Sequence, residues 1–333
     1  MKKLDFIRKV LMRSEFVPKY RNNHYQTIYG VTKTRDKRSL PSVNVRYLTL
    51  KDRDKIKLDC YWQKNAKKAL NVIIVHGMVG SSKTEYVLGT AAKAYNRGYN
   101  IIAVNLRNCG ESENLSRKLY HAGQSNDIKE VVKWLIKKKL GKIGVVCFSL
   151  SGNIVLKMAG EWGRKYPRKV FGIAAVSPLV DLHAGWRLID KKENRFYRFN
   201  FLSSLRKMIK RKAMFFPEYD FSLFQKVKTI RDFDEVFHTR YSGFKSADDY
   251  YTKASARFSL KKIFLPCLIL HADDDTLVPI APLKDRNVKG RKNIILILTK
   301  YGGHAGFISK KSLSEDEFWA ENRVLEFFDL LQA

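Results

Sequence analysis

A single serine, Ser149, lies between a short apolar run and a helical pattern. Residues 143–148 are apolar, as in a strand buried on both faces, and Ile154, Val155 and Met158 follow at helical spacing. A strand, a sharp turn bearing a serine and a helix together make a nucleophile elbow, which lifts the hydroxyl clear of the sheet. The N-terminus of the following helix would supply N–H groups to a developing oxyanion. The stretch therefore predicts a serine nucleophile, and the alternative is a serine in an ordinary strand-to-helix loop.

The residues flanking Ser149 depart from the usual G-x-S-x-G pattern of an elbow. Cys147 and Ser151 stand where that pattern has glycine. The turn needs little side chain there, because the strand and the helix approach each other closely. Cysteine and serine are the smallest choices after glycine and alanine, so we retain the elbow interpretation and expect tight contacts at both positions.

Two later segments contain the side chains that a serine nucleophile needs. Residues 267–270 predict a buried strand leading into three aspartates, of which Asp275 best suits a D-x-x-V-P turn and Asp274 is the alternative. A glycine-rich loop after the predicted strand 293–298 carries His304. A histidine can take the proton of the serine hydroxyl, and a carboxylate can hold the imidazole in the required tautomer. Together the three side chains could perform acyl transfer through a covalent intermediate.

Another glycine-rich loop, residues 76–82, follows the predicted buried strand 71–75. Loops at the carboxyl ends of parallel strands are where α/β proteins build their sites. In this position Met78 would offer one backbone N–H to the oxyanion, and Leu150, the residue after the serine, would offer the second. A phosphate-binding loop is the alternative, but Lys83 does not stand at the G-x-x-x-x-G-K-[ST] spacing.

The elements that would position these residues alternate between strand and helix. Such alternation predicts an α/β fold with a mostly parallel central sheet and helices on both faces. The order serine, aspartate, histidine along the chain is that of the α/β-hydrolase fold, which we take as the fold class. The predicted strands are 43–50, 56–62, 71–75, 100–105, 143–148, 170–176, 267–270 and 293–298, and the clearest helices are 84–97, 126–139 and 315–331.

The alternation breaks between residues 182 and 262. We predict a hydrolase core over 41–181 and 263–333, a helical cap or lid inserted at 182–262, and an irregular N-terminal arm, 1–40, packed on the core. Within the insertion, residues 187–212 include ten basic and two acidic residues interleaved with aromatic and aliphatic ones. This segment is expected to be helical, and it would form core beneath a solvated face, a lid facing the substrate, or a membrane-surface patch.

The 333-residue chain has a formal net charge of +32. This balance suggests nucleic acid or an anionic membrane as a partner, or only solvated lysine-rich surfaces. No helix-turn-helix, zinc-finger or RNA-binding signature accompanies the charge, which argues against nucleic acid.

The four cysteines show no C-x-x-C pair, so no metal site is expected. Because neither a signal-peptide core nor a membrane-spanning run is present, the sequence predicts a cytoplasmic protein, with peripheral contact to the inner membrane face left open.

Beyond these local patterns, the chain resembles the YheT-like branch of the α/β hydrolases, a family of carboxylesterases and lipases with animal phospholipase relatives. Motifs along almost the whole chain carry the resemblance: RNNHYQT at 21–27, HGMVGSS at 76–82, NLRNCG at 105–110, LYHAG at 119–123, FSLSGN at 148–153, DDYY at 248–251 and GHAGF at 303–307.

The resemblance implies hydrolysis of carboxylic esters without a cofactor. Ser149 would attack the acyl carbon, His304 would act as base and then as acid, and Asp275 would orient His304. The substrates implied are short- to medium-chain acyl esters or lipids of the acylglycerol and phospholipid type. A function of another class also stays open: a hydrolase-fold binding protein with weakened activity, attached to anionic membrane or nucleic acid by its basic surface.

Overall fold

One eight-stranded sheet forms the centre of the molecule. The computed structural model describes residues 2–333, except for the side chains of residues 286 and 287. The strands are β1 (Asn44–Thr49), β2 (Lys55–Tyr61), β3 (Asn71–Val75), β4 (Asn100–Val104), β5 (Ile143–Phe148), β6 (Val170–Val176), β7 (Cys267–Ala272) and β8 (Ile294–Thr299). They lie in the order β1-β2-β4-β3-β5-β6-β7-β8. The pairs β1–β2 and β2–β4 are antiparallel, and the five other neighbouring pairs are parallel.

Helices cover both faces of this sheet. The longer helices are α1 (Lys2–Arg13), α2 (Asn23–Thr32), α3 (Glu85–Asn96), α4 (Ser125–Lys137), α5 (Leu150–Trp162), α6 (Leu182–Ile189), α7 (Arg195–Phe215), α10 (Ala247–Ala254) and α12 (Trp319–Gln332), and the single-turn helices are α8 (Ile230–Phe233), α9 (Thr239–Ser242) and α11 (Arg286–Lys289). Alternate residues of β5 show the two layers, because Val146 and Phe148 pack with α1, α3 and α12, whereas Val145 and Cys147 pack with α4 and α5.

The predicted fold class is confirmed, and most element bounds agree within one or two residues. The central strands were recognisable because every residue of β3, β4, β5 and β7 is buried, which requires an unbroken apolar run. The last helix is the exception, because it begins at Trp319 and not at residue 315. The preceding residues contain bends and are held by a bridge between Ile308 and Phe318.

The prediction that residues 1–40 are irregular is wrong, since this segment contains α1 and α2 (residue 1 lies outside the described residues). Ile7 and Leu11 are four residues apart, so both lie on one face of α1. That face is buried in the apolar layer that α12 forms on one side of the sheet. The charged residues of α1 are mostly exposed, although Lys3 and Arg8 donate to the carbonyls of Leu331 and Ile294. Helix α2 begins where the side chain of Asn22 accepts a hydrogen bond from the Tyr25 N–H.

The insertion between β6 and β7, residues 182–262, is helical, and the helices predicted within 187–212 are confirmed as α6 and α7. A 3₁₀ turn, Lys192–Asn194, separates them. Lys212 follows several basic residues in the sequence, but it is not on the surface with them. Its side chain is 0% exposed, and its Nζ donates to the Ser116 carbonyl at 2.6 Å. Burial lowers the pKa of Lys212 to about 7.

Among residues 2–333, we find no helix with the length and apolar character that crossing a bilayer requires.

Candidate active site

Ser149 lies at the sharp turn between β5 and α5, as the sequence predicts. Its backbone has φ 54° and ψ −118°, a strained combination for a residue with a side chain. The Ser149 N–H donates to the Val176 carbonyl at 3.0 Å, and the Ser149 carbonyl accepts from the N–H groups of Gly152 and Leu179. These bonds to two neighbouring elements hold the strained turn and keep the hydroxyl above the edge of the sheet.

The elbow that contains Cys147 and Ser151 is closely packed, and both side chains are fully buried. A Cβ on Gly152 would lie 2.5 Å from the Pro178 Cβ, and one on Gly77 would lie 3.2 Å from the Ser149 Cβ. Ser151 is fully buried, and its Oγ accepts from the Phe148 N–H at 2.9 Å and lies 2.7 Å from the Val75 carbonyl, to which it can donate. The Ser151 hydroxyl therefore joins β3 to the elbow.

The structure brings Ser149, His304 and Asp275 into one hydrogen-bonded chain. His304 Nε2 lies 2.8 Å from the Ser149 Oγ, and His304 Nδ1 lies 3.1 and 3.0 Å from the two carboxylate oxygens of Asp275. Asp275 Oδ1 also accepts from the N–H groups of Leu277 and Val278, each at 2.9 Å. The Asp275 carboxylate is thus fixed on three sides.

Asp274, the alternative acid, points away from the imidazole. Its Oδ1 accepts from the Gly303 N–H at 2.9 Å. Burial raises the pKa of Asp274. Burial alone would also raise the pKa of Asp275, but the charge and hydrogen bond of His304, with smaller contributions from His271 and the Leu277 N–H, hold that pKa below its usual value. Of the two aspartates, Asp275 is the one that can stabilise a protonated His304.

The loop containing Met78 passes directly beside the elbow. Tyr86 OH accepts from the Gly77 N–H at 2.9 Å, and Tyr120 OH accepts from the Val79 N–H at 3.2 Å, so tyrosines hold the residues on both sides of Met78. Leu150 is the first residue of α5, so its N–H has no partner within the helix. Both predicted oxyanion donors lie on residues that line the same pocket as Ser149.

Two cavities meet at Ser149 and His304. The inner pocket lies under the insertion, and its wall is mainly apolar: Leu179, Leu182, Trp186, Ile189, Phe201, Leu205, Met208, Ile230 and Phe233. The outer groove is bordered by α2, the loop 77–80 and the first turns of α7, and its lining includes Thr27, Ile28, Val31, Phe196, Tyr197 and Asn200. An ester carbonyl beside Ser149 would therefore have an apolar space on each side.

Sequence analysis missed a polar group in the inner pocket. Asp234 and His238 begin and end a five-residue π-helical turn, and π turns are frequent at functional sites. Tyr251 OH donates to the Asp234 carboxyl at 2.7 Å, and burial raises the pKa of Asp234 to about 8. Burial lowers the pKa of His238 to about 3. The pocket is therefore polar at this place and mostly uncharged at neutral pH.

Comparison with known proteins was consistent with this geometry. Residues 71–311 match a protein family whose description is alpha/beta hydrolase fold. The chain belongs to the α/β hydrolase fold family. The matched range begins at β3 and contains Ser149, Asp275 and His304, whereas α1 and α2 lie outside it.

Individual members of the α/β hydrolase family resemble the chain over most of its length. YheT of Escherichia coli (strain K12), provisionally named an esterase, is 28% identical over 326 residues, covering 93% of this chain and 92% of YheT. Phospholipase ABHD3 of Mus musculus is 28% identical over 286 residues, covering 81% of this chain and 68% of ABHD3. The predicted resemblance to the YheT-like branch, and with it the assignment to the esterase and lipase type of hydrolase, is confirmed.

A solved structure supports the fold independently. The Pyrococcus furiosus esterase Pf2001 superimposes with a TM-score of 0.55 at 20% identity, covering 86% of this chain and 92% of the esterase. Within residues 2–333, no three His, Cys, Asp or Glu side chains come together as a metal site would require.

Proposed function

We propose that this α/β hydrolase cleaves carboxylic esters through an acyl-enzyme formed on Ser149. The observation that supports this most strongly is the hydrogen-bonded chain from Ser149 Oγ through His304 to Asp275, with 2.8 Å between Oγ and Nε2. A serine hydroxyl is a weak nucleophile by itself, and it becomes effective when an adjacent base takes its proton. The names of the relatives, an esterase and a phospholipase, support the same reaction class.

The reaction would proceed in two halves. Ser149 Oγ attacks the acyl carbon while its proton moves to His304 Nε2, and the N–H groups of Met78 and Leu150 bind the oxygen that becomes negative. The tetrahedral intermediate collapses, and the alcohol leaves with the proton from His304. Water then attacks the acyl-enzyme with His304 again as base, which releases the acid and restores the Ser149 hydroxyl. Asp275 keeps the Nδ1 proton of His304 in place throughout.

The two cavities suggest an ester with apolar groups on both sides of its carbonyl. We assign the acyl chain to the inner pocket, because the helical insertion encloses it, so residues 182–262 would act as the cap. The alcohol would occupy the outer groove, from which it could leave while the acyl-enzyme persists. Short- to medium-chain acyl esters and lipids of the acylglycerol or phospholipid type meet this description, and a monoacylglycerol lipase of Saccharomyces cerevisiae is among the relatives, at 28% identity.

A larger side chain at Leu205 should shorten the acyl chain that the enzyme accepts. Leu205 is buried in α7 and lines the inner pocket, so Leu205→Trp would fill part of it. One methylene in a hydrophobic pocket changes binding by about 1–3 kcal/mol. We therefore expect kcat/KM for p-nitrophenyl decanoate to fall at least about tenfold, with little change for the butyrate.

Phe199→Trp is the matched control, since Phe199 is on the same helix but 71% exposed, and its chain-length profile should equal that of the wild type. An unchanged profile in Leu205→Trp would contradict the acyl assignment. If the wild type hydrolysed none of the esters and resisted a fluorophosphonate, the ester hydrolase proposal would fail, leaving the binding-protein alternative.

We further propose that the rim of the outer groove contacts anionic membranes. Exposed apolar side chains border this groove on both helices, namely Ile28 and Val31 of α2 and Phe196 of α7. Lys191, Lys192 and Arg195 are exposed immediately before or at the start of α7. Exposed apolar groups beside basic ones match the chemistry of an anionic lipid surface, which would bring lipid esters to the groove.

Vesicle sedimentation would test this contact. Each basic residue near an anionic membrane contributes about 1 kcal/mol, so reversing Lys191, Lys192 and Arg195 to Glu should weaken binding to phosphatidylserine vesicles at least about tenfold at low salt. Soluble ester hydrolysis should stay unchanged. The matched control reverses Lys137, Lys138 and Lys139, which are exposed at the end of α4, and it should bind like the wild type. Equal weakening in both variants would mean that only total charge matters.

A further inference from the structure

Helix α2 contacts the two loops that carry His304 and Asp275, although it lies outside the matched family range. Thr27 Oγ1 accepts from the His304 backbone N–H at 2.9 Å and donates to the Asn23 carbonyl at 2.8 Å. Gln26 Oε1 accepts from the Ile308 N–H at 2.6 Å, and Gln26 Nε2 donates to the Ile308 carbonyl at 3.0 Å. Gln26 and Thr27 are buried, so these bonds are shielded from water.

The same helix reaches the acid loop. Asn23 Nδ2 donates to the Asp274 carbonyl at 3.1 Å, directly before Asp275 in the chain. Thr27 Oγ1 also lies 3.3 Å from the Thr276 Oγ1. One turn of α2 therefore touches residues on both sides of Asp275 as well as the backbone of His304.

The helix and the histidine loop meet backbone to backbone. A Cβ on Gly306 would lie 2.2 Å from the Gln26 carbonyl oxygen, and a Cβ on Gly30 would lie 2.5 Å from the Gly306 Cα. Gly303, with φ +57°, would place a Cβ 2.5 Å from the Asn23 carbonyl oxygen. Because there is no room between the two segments, a displacement of α2 would displace the loop.

We propose that Thr27, Gln26 and Asn23 are positioning residues that set the location of His304 relative to Ser149 and Asp275. They act through the backbone, since the bonds to His304 and Ile308 fix both ends of the segment 304–308 from which the imidazole projects. The proposal rests on the proposed esterase function. It also gives the RNNHYQT motif at 21–27 a role. The reacting groups lie within residues 71–311, the range matched by the family, and the motif supports them from outside that range.

Replacing the Thr27 hydroxyl should lower turnover without weakening substrate binding. Thr27→Val keeps the shape of the side chain and removes the acceptor of the His304 N–H. Displacements of about 1 Å at a catalytic group can cost about 100-fold in rate, so we expect kcat to fall about 10- to 100-fold with KM within about twofold. Thr27→Ser retains the hydroxyl and should restore kcat to within about threefold of the wild type. The measurements are p-nitrophenyl ester kinetics and the rate of labelling by a fluorophosphonate.

Thr90→Val is the matched control, because Thr90 is a buried helical threonine whose hydroxyl donates four residues back, to Tyr86 O at 2.7 Å. Its melting temperature should fall by about as much as that of Thr27→Val, while its kcat stays near the wild-type value. Wild-type kcat in Thr27→Val, or equal losses in the Val and Ser variants, would overturn the proposal.

Asn23→Ala, at a half-buried position, provides a second variant should Thr27→Val not fold. We expect a loss of kcat several-fold in size with KM unchanged, and a wild-type kcat would contradict the role of α2 at the acid loop. The two proposals can be distinguished, because failure of the ester hydrolase proposal would leave the wild type inactive, whereas failure of this inference would leave an active wild type whose α2 variants match it.

Discussion

Ser149→Ala is expected to lower kcat for ester hydrolysis by about 10⁴- to 10⁶-fold, in line with removal of the nucleophile from other serine hydrolases. The oxyanion donors and the pocket would remain and account for any residual rate. Stability should hardly change. Alanine keeps the Cβ of Ser149, so the strain at φ 54° is the same in both proteins, and the hydrogen bond lost is the one to the His304 ring at a partly exposed position.

Ser151→Ala offers a control with the opposite outcome. It makes the same chemical change two residues later, but the Ser151 hydroxyl is buried and bonded to the backbone of β3 and β5. Leaving buried polar groups without partners costs about 1–3 kcal/mol, so this variant should lose stability and keep most of its activity. Ester hydrolysis by Ser149→Ala at a substantial fraction of the wild-type rate would contradict the assignment of the nucleophile, as would fluorophosphonate labelling at another residue.

Asp275→Asn should have the next largest effect, a loss of about 10⁴-fold in kcat, as for the corresponding change in a serine protease. The Asp275 carboxylate accepts from His304 Nδ1 and from the N–H groups of Leu277 and Val278. An amide that keeps its oxygen on those backbone groups would present its NH₂ to the imidazole. His304 would then adopt the tautomer that carries its proton on Nε2, from which it cannot accept the proton of Ser149.

Asp274→Asn is the matched control. Its amide oxygen can still accept from the Gly303 N–H, so kcat should fall far less than in Asp275→Asn. Steady-state kinetics of both variants, with melting temperatures to confirm folding, would separate the two aspartates. The reverse order of effects would make Asp274 the acid and require a rearranged turn in the active protein.

The sequence predicted the core of the fold and the proposed reacting residues because both depend on local patterns. A parallel strand buried on both faces requires an apolar run, and the residues that follow such runs at one edge of the sheet are brought together by topology. This places Ser149, Asp275 and His304 near one another without any knowledge of side-chain packing. Asp275 could be preferred over Asp274 from the turn pattern alone, and the His304–Asp275 distances of 3.0 and 3.1 Å agree with that choice.

The features that the sequence did not predict depend on contacts between distant segments. The close approach of Gly152 to Pro178 beside the elbow depends on where the chain after β6 passes, which the residues around Ser149 do not reveal. Lys212 is buried with its Nζ bonded to the Ser116 carbonyl and lying over the rings of Phe216 and Tyr219, contacts that its basic sequence neighbours do not reveal. The part played by α2 is of the same kind, because its partners lie more than 240 residues away in the chain.

The pairing of α2 with the histidine loop also bears on how the protein is made. The Thr27–His304 and Gln26–Ile308 hydrogen bonds join residues 277 and 282 positions apart, among the longest loops that a chain of 333 residues can close. Closing loops of such length costs chain entropy, so we expect these contacts to form late in folding. During synthesis, Thr27 of α2 leaves the ribosome 277 residues before His304 of its partner loop. A nascent chain therefore carries Ser149 155 residues before it carries His304, and the site can be assembled only after the later segment has been made.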